Sequence, residues 1–421
     1  MGNAIDPRNI DHLRELALFG NLAAWQLQAV TAAIEEVHAR KGQMLFESGS
    51  DDGYTYFLTA GRISMEAADG RLRELDVTPE VTRAPIANLR PRLYGVKALT
   101  KVQGFRVPDL VLQAAGATGI MDKRSAAGIE VQDSEDGLRH ELEQELGFRL
   151  YRDLRDDQAV LPTLPDLALR IRKAIEDGSS AARDIARVVE TDPAMTAKLI
   201  KVANSALYGG RNPVETCTAA VVRLGTKATQ KLVISFSVRE VFQSRRPELH
   251  KRMLGLWAHS ADVAALSFAL ARNVKGFDPE EALLAGLVHD VGTIAILNYT
   301  VPMPQLARDP EALEATIARL RGELGAMILR EWSFPPPIVA AAREAELWQR
   351  DHTGPADLAD LVVAAQWHDR LSHRTLSGLP PFDQITALPR VLGGKVTPET
   401  SLELIKSAKA QIAEARALLG G

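Results

Sequence analysis

The sequence predicts two domains of different class, a small β-rich domain followed by a larger all-α domain. Three observations lead to this prediction. The chain has 421 residues, which is more than one ordinary hydrophobic core accommodates. Short apolar runs separated by glycines fill residues 42–75. From residue 159 onward, helical spacing of apolar residues and helix-capping residues dominate instead.

The composition is typical of a globular protein and excludes several kinds of site. Hydrophobic residues make up 46% of the chain, and the formal net charge of −4 gives no positive field for nucleic acid or anionic lipid. The single cysteine, Cys217, excludes a disulfide framework within one chain and a Cys-based zinc cluster. Without a signal peptide or an apolar run of about 18 residues, we expect a cytoplasmic protein that binds neither membrane nor nucleic acid.

The first domain is predicted over residues 8–110. Residues 8–40 have the apolar spacing of helices. Alternating burial is expected across Tyr54–Leu58 and Ile63–Met65, and Asp69-Gly70 is a common turn dipeptide, so this part predicts β-hairpins.

Residues 111–158 are predicted to be a helical connector. Within it, residues 133–157 form a charged amphipathic pattern with a leucine at every fourth position: Leu138, Leu142, Leu146 and Leu150. So narrow an apolar stripe packs on a neighbouring element. That neighbour is either the chain's own domain or a second copy of this helix, which would make a homodimer.

Residues 159–421 are predicted to be one all-α domain, with clear helix starts. Asp192-Pro193 and Asp278-Pro279 each place a capping carboxylate before a proline at the first helical position. Glu281, three residues after Asp278, completes a start that is similar to a capping box.

Five motifs of this second part resemble, in order, those of an HDOD domain, a helical relative of the HD-superfamily phosphohydrolases. They are LPTLPDLALRIRKAIEDG, ETDPAMTAKLIKVANSALYG, AAVVRLGTKATQKLV, WAHSADVAALSFALA and EEALLAGLVHDVGTIAIL. The resemblance covers residues 159–421 and implies an all-α domain. It also implies a bacterial signalling or protein-interaction module rather than an enzyme.

Three stretches of the first part resemble a cyclic nucleotide-binding domain. They are LFGNLAAWQLQAV, KGQMLFESGSDDGYTYFLTAGRISM and PRLYGVKAL. The resemblance implies a jelly-roll-like β-barrel, with Arg92 where the family keeps its phosphate-binding arginine.

The stretch GLVHDVG, residues 286–292, places His289 beside Asp290 in apolar surroundings. The resemblance implies that catalytic relatives gather several histidines and aspartates around one or two metal ions, which activate water. His259, in WAHS, matches the earlier histidine of that set. His259, His289 and Asp290 are therefore the residual HD motif and the candidate metal ligands.

Four other residues stand where the resemblance implies further ligands: Arg321, Arg343, Glu344 and Gln366. His368 and Asp369 lie two and three residues after Gln366, so their side chains are expected to point in other directions from the helix. Either would replace the ligand only if the alignment with the family shifted by that many residues. We therefore expect a satisfied buried polar network, no catalytic residue and no cofactor. Non-catalytic binding of a divalent metal, and metal-dependent hydrolysis of a nucleotide or cyclic dinucleotide, are the alternatives.

A cyclic phosphate requires an arginine and a turn with free N–H groups. The stretch TPEVTRAPIANLRPR has no glycine, and its prolines remove donors, so the nucleotide site is predicted to be degenerate. Arg83, Arg90 and Arg92 could form a cationic group for an anionic or nucleotide ligand, or could be solvated. The sequence thus predicts a regulatory protein with a protein partner; a nucleotide-sensing regulator is an alternative.

Overall fold

The computed structural model describes residues 6–420 with gaps. The residues left out in this range are 7–8, 17, 21, 68–71, 88–91, 93, 118–145, 147–148, 150–152, 154–160, 177–180, 211, 245, 302, 304–307, 353, 374, 376–378 and 394–396. The chain divides into two compact units. One comprises Met1–Val160 and Tyr299–Met327, and the other Leu161–Asn298 and Ile328–Gly421.

The division falls after residue 160, and the segment Tyr299–Met327 is grouped with the N-terminal residues. The predicted bounds 8–110, 111–158 and 159–421 stay predictions. Two hydrogen bonds join this segment to other residues of the N-terminal unit. Gln113 Nε2 donates to the Arg319 carbonyl at 2.8 Å, and the Tyr299 hydroxyl donates to Asp153 at 3.0 Å. Such long-range contacts leave no local sequence pattern.

The described strands of the N-terminal unit form two antiparallel sheets. The strands are β1 (Glu35–Ala39), β2 (Met44–Phe46), β3 (Tyr54–Ala60), β4 (Arg62–Ala67), β5 (Leu72–Asp76), β6 (Tyr94–Ala98) and β7 (Val102–Pro108). Their orders are β1-β7-β3 and β2-β6-β4-β5. The predicted strands and the β4–β5 hairpin are confirmed, but the two sheets do not close into the predicted barrel.

The sheets enclose an apolar core because alternate residues of each strand point inward. This core contains Phe46, Leu58, Ile63, Val96 and Val102, which come from both sheets. The unit also has the helices α1 (Ile10–Arg14), α2 (Ala24–Ala32), α3 (Pro79–Thr82) and α4 (Asp109–Ala114). The helical spacing predicted over 8–40 ends at Ala32, since residues 35–39 pair with β7 instead.

The second unit is helical in its described residues, which confirms the predicted all-α class. Its helices before residue 299 are α5 (Asp166–Glu176), α6 (Ala182–Val189), α7 (Pro193–Ala203), α8 (Cys217–Leu224), α9 (Thr226–Ser237), α10 (Pro247–Asn273), α11 (Pro279–Val288) and α12 (Val291–Tyr299). The next helix, α13 (Pro310–Glu331), lies mostly in the segment Tyr299–Met327 of the N-terminal unit. The second unit continues with α14 (Pro336–Glu344), α15 (Leu358–Ser372), α16 (Ala387–Leu392), α17 (Pro398–Ser407) and α18 (Lys409–Leu419). Short 3₁₀ helices cover Val238–Phe242 and Phe382–Gln384.

The two predicted helix caps are confirmed. Asp192 accepts a hydrogen bond from the Met195 amide at 3.0 Å, and Asp278 accepts one from the Glu281 amide at 2.9 Å. These bonds satisfy amides that the first turn of a helix leaves without a partner. The Glu281 carboxylate lies 3.4 Å from Lys231 Nζ, so it has an ion-pair partner on α9.

Of the connector stretch 133–157, the structure describes only Leu146, Arg149 and Asp153, all helical. Leu138, Leu142 and Leu150 lie outside the described residues. The choice between a linker helix and a dimer helix therefore stays a prediction.

Two described stretches, Leu249–Asn273 and Pro279–Tyr299, are long and apolar enough to cross a membrane by length and composition. In their apolar windows, 67% and 94% of the residues are buried inside the fold. Core helices of globular proteins pass the same test, so these stretches give no evidence of membrane localisation.

Gly286 lies where α11 meets α10 at close range. A Cβ atom at this position would lie 2.7 Å from the Ala264 Cα atom and 2.8 Å from Ser267 Oγ. We expect Gly286→Ala to lower the free energy of unfolding by about 1–3 kcal/mol, because the backbone of α10 has to move. Chemical denaturation measures this loss. Gly255→Ala, on α10 with nothing within 4 Å, is the matched control and should stabilise by up to about 1 kcal/mol.

Candidate functional site

The structure brings the three predicted ligand residues together. His259 lies on α10, and His289 and Asp290 lie between α11 and α12. One ligand atom from each lies within 4.8 Å of the others, and the two imidazole centroids are 5.2 Å apart. The three side chains are therefore close enough to share one divalent ion.

Both imidazoles are oriented through Nδ1. His289 Nδ1 lies 2.7 Å from the Gly286 carbonyl, and His259 Nδ1 lies 2.9 Å from Asp369 Oδ2. Because a carbonyl and a carboxylate only accept, each Nδ1 must carry the proton. When either ring is neutral, its lone pair is on Nε2, which is the arrangement of metal-binding histidines.

Asp290 is buried and accepts a hydrogen bond from Thr293 Oγ1 at 3.0 Å. This bond, together with those of the two histidines, agrees with the predicted buried polar network. The same donor set, two imidazoles and one carboxylate, also fits a divalent metal. Among the described residues, His259, His289 and Asp290 together offer three ligand atoms, one from each side chain.

Asp369 is a site residue that the sequence reasoning placed on another face of the helix. Its carboxylate reaches His259, although it lies three residues after Gln366 on α15. Residues three apart on a helix share a face, so the helical period itself contained this signal. Asp369 does not replace the ligand expected at Gln366, because it contacts His259 Nδ1 and orients that ring.

The residues at the other implied ligand positions make different contacts. Gln366 is fully buried, and its Nε2 donates to the Ala345 carbonyl at 2.7 Å. Arg343 NH2 donates to Glu344 Oε1 at 3.3 Å, and both side chains are buried. Arg321 lies on α13, in the segment that belongs to the N-terminal unit, and is also buried.

Glu344 is part of a buried ionic cluster that the sequence did not suggest. Arg350 donates to Glu344 Oε2 at 2.7 Å, to Asp357 Oδ1 at 2.8 Å and to Asp360. His352 Nε2 lies 2.8 Å from the second oxygen of Asp360. We name the set Glu344, Arg350, His352, Asp357 and Asp360 the Arg350 cluster. The guanidinium donates to all three carboxylates of the cluster, so each of them already contacts a cation.

His368 is buried and paired, so it is not a substitute ligand. Its Nε2 lies 2.9 Å from Ser401 Oγ on α17, and burial lowers its pKa to about 4. The neutral form is therefore the one that folding favours.

We expect His368 to make the folded protein less stable in acid. The pKa of His368 falls from 6.5 to about 4 on folding, so between these values the unfolded chain binds more protons and stability rises with pH. This difference amounts to about 3 kcal/mol between pH 4 and pH 6.5. Urea denaturation across that range measures it, and His368→Gln should flatten the curve. Equal slopes for both proteins would contradict the assignment.

The predicted phosphate-binding arginine is already bound within the protein. The Arg92 side chain is fully buried, and its NH2 donates to Asp52 Oδ1 and to the Tyr54 carbonyl, each at 2.7 Å. NH1 donates to the Ala87 carbonyl at 3.0 Å, and the guanidinium stacks 3.6 Å over the Phe46 ring. Arg92 thus binds a carboxylate of its own domain.

The structure describes two of the three arginines that were predicted to form a cationic group, Arg83 and Arg92. Arg83 is exposed at the end of α3, whereas Arg92 is buried, so the two side chains do not present one cationic surface. Arg90 lies outside the described residues. Asp52 is 40 residues away from Arg92, so no local sequence pattern indicates that the two side chains pair.

The family model of the HDOD domain matches residues 161–347 of the chain. An uncharacterized protein of Treponema pallidum (strain Nichols) is 24% identical over 234 residues, which are 53% of this chain and 44% of that protein. The match therefore spans less than half the length of this curated relative.

Solved structures are similar to both parts of the chain. One is the "Putative metal-dependent phosphohydrolase" of Shewanella amazonensis SB2B, with 24% identity, a TM-score of 0.57, and coverage of 67% of this chain and 99% of that one. Another is a cyclic nucleotide-binding-like protein of Brucella abortus, with 22% identity, a TM-score of 0.20, and coverage of 25% and 93%. The first similarity shows the fold of the part of the chain that it covers.

Proposed function

Because residues 161–347 of this chain are an HDOD domain, we propose that the protein is a signal-transduction regulator that binds other proteins and does not catalyse a reaction. In this proposal the helical domain is the interaction module, and the N-terminal domain is its regulatory input. The protein acts in the cytoplasm, without binding nucleic acid or membrane.

The observation that supports this proposal is the small number of ligands that the described residues supply around Asp290. Hydrolysis of a phosphoester requires a metal with a reactive water and positioned contacts to the substrate. His259, His289 and Asp290 supply three ligand atoms. Gln366 is instead bonded to a backbone carbonyl, and Glu344 to Arg350.

A non-catalytic divalent ion is a second candidate role for the same three residues. It is favoured by the orientation of the two imidazoles, each with Nδ1 bonded and its lone pair on Nε2. An ion bound there would act as a Lewis acid and would join α10 to the α11–α12 corner. Asp369 and the Gly286 carbonyl would fix the ring orientations.

A direct experiment is to identify a partner of the purified full-length protein and to measure its affinity for wild type and for Asp290→Asn. We expect the affinity to change by less than about twofold, because Asp290 is buried and packs inside the module rather than on its surface. Exposed positions of the same domain, such as Val222→Glu and Leu254→Glu, map the binding surface in parallel. Absence of any binding partner, together with a metal-dependent turnover, would contradict the proposal.

A further inference from the structure

Asp369, which contacts His259 through Oδ2, also belongs to a second group of Asp and His side chains, the residue types that bind divalent metals. This group consists of Asp262 on α10, Asp369 on α15 and His373 at the end of α15. One ligand atom from each lies within 4.8 Å of the others. We propose that Asp262, Asp369 and His373 bind a divalent first-row metal ion such as Mn²⁺ or Zn²⁺. This site does not depend on the proposed function.

The second oxygen of Asp369 points to this site. Oδ2 contacts His259, but Oδ1 is buried and has no hydrogen-bond partner among the described residues. It lies 3.2 Å from His373 Nδ1. A buried carboxylate oxygen without a hydrogen bond is costly, and a cation bound to it would remove that cost.

The charges around the site also favour a cation. Two carboxylates, Asp262 and Asp369, are neighbours, and the adjacent cation is Arg416, whose Nε lies 2.9 Å from Asp262 Oδ1. Burial raises the pKa of Asp262, Arg416 opposes this shift, and the charge of Asp369 adds to it. One oxygen of Asp262 is engaged by Arg416, and the other remains for an ion.

The donor set determines the class of ion. Two carboxylates and one imidazole suit Mn²⁺ and Zn²⁺, whereas Mg²⁺ and Ca²⁺ prefer oxygen ligands alone. The side chain of His373 is 54% exposed, so an ion reaches the site from solvent. His373 Nδ1 lies 3.0 Å from the Asp369 carbonyl, so an ion bound by Nδ1 would replace that contact. Asp369 would then bind the ion through its Oδ1 atom, while its Oδ2 atom would keep the hydrogen bond from His259.

The Arg350 cluster contains a similar set of ligand atoms, but a protein cation already contacts its carboxylates. His352, Asp357 and Asp360 also place ligand atoms within 4.8 Å of one another. Arg350, however, donates to both carboxylates, so the cation is already present. The Asp262 group differs because its guanidinium contacts one carboxylate and leaves Asp369 Oδ1 without a hydrogen bond.

The test is titration of the full-length protein with Mn²⁺, followed by electron paramagnetic resonance, with Zn²⁺ as a competitor. We expect His373→Ala and Asp262→Asn each to weaken binding at this site by at least about tenfold. His373 is at the surface, so its variant should fold even if Asp262→Asn does not; circular dichroism checks both.

Two further variants identify the site that binds. His352→Ala and Asp290→Asn should retain the Mn²⁺ affinity that His373→Ala loses. The proposal is overturned if no Mn²⁺ or Zn²⁺ binds at millimolar concentration. It is also overturned if Asp290→Asn removes all binding while His373→Ala and Asp262→Asn leave it unchanged.

Discussion

Replacing Arg350 with methionine should lower the free energy of unfolding of the helical domain by about 3–5 kcal/mol. The guanidinium is almost fully buried and donates hydrogen bonds to three carboxylates, those of Glu344, Asp357 and Asp360. Methionine has a similar length but no charge. It would leave Glu344 and Asp360 buried without their counter-charge, which costs far more than loss of the pair's attraction.

The pKa of Asp357 shows how strongly Arg350 stabilises the ionised carboxylates of this cluster. Burial alone would raise the pKa of Asp357, but the hydrogen bond and charge of Arg350 outweigh burial and lower it. Urea denaturation followed by the helical circular-dichroism signal measures the loss. Arg187→Met is the matched control, because its ion pair with Asp184 is 3.7 Å long and exposed, and should cost less than about 1 kcal/mol. A similar cost for both variants would contradict the role of the Arg350 cluster.

Asp52→Asn is the second change with a large expected effect. It leaves Arg92 charged and fully buried in the N-terminal domain, so we expect a loss of about 2–3 kcal/mol in the free energy of unfolding. The expected loss is smaller than that for Arg350→Met because the Asp52 side chain is 28% exposed and solvent partly screens its charge. Thermal or urea unfolding measures the loss. Asp76→Asn, which removes an exposed partner of Arg62, is the control and should change stability little.

The same pair predicts how the N-terminal domain responds to acid. Burial raises the pKa of Asp52, but the charge and hydrogen bond of Arg92 outweigh burial and bring it below its usual 3.8. The stabilisation is therefore complete above pH 3.8 and is lost as pH falls through the folded-state pKa. Asp52→Asn should lack this acid-dependent loss. An unchanged acid profile in the variant would show that Asp52 does not pair with Arg92 in solution.

Features encoded in a few neighbouring residues could be predicted from the sequence. The caps at Asp192 and Asp278 depend on a carboxylate and an amide three residues later, so the prediction and the structure agree. The grouping of His259 with His289 and Asp290 also came from the motifs, since their order along the chain resembles that of a known site.

Features that join distant residues could not be predicted. Asp52 is 40 residues from Arg92, and Asp369 is 110 residues from His259. The residues around Arg92 or His259 in the sequence do not indicate whether the side chain is exposed or is buried against a distant carboxylate. The strand pattern gives alternation but not whether the sheets close, so the sequence could not predict that the two sheets stay open.

The most direct test of the account is a turnover measurement on the purified full-length protein. Nucleotides, phosphomonoesters and cyclic dinucleotides are incubated with Mn²⁺, Mg²⁺ or Zn²⁺, and phosphate or nucleotide release is compared between wild type and Asp290→Asn. The account predicts that both proteins release product at the same background rate. A metal-dependent rate that wild type shows and Asp290→Asn loses would contradict it.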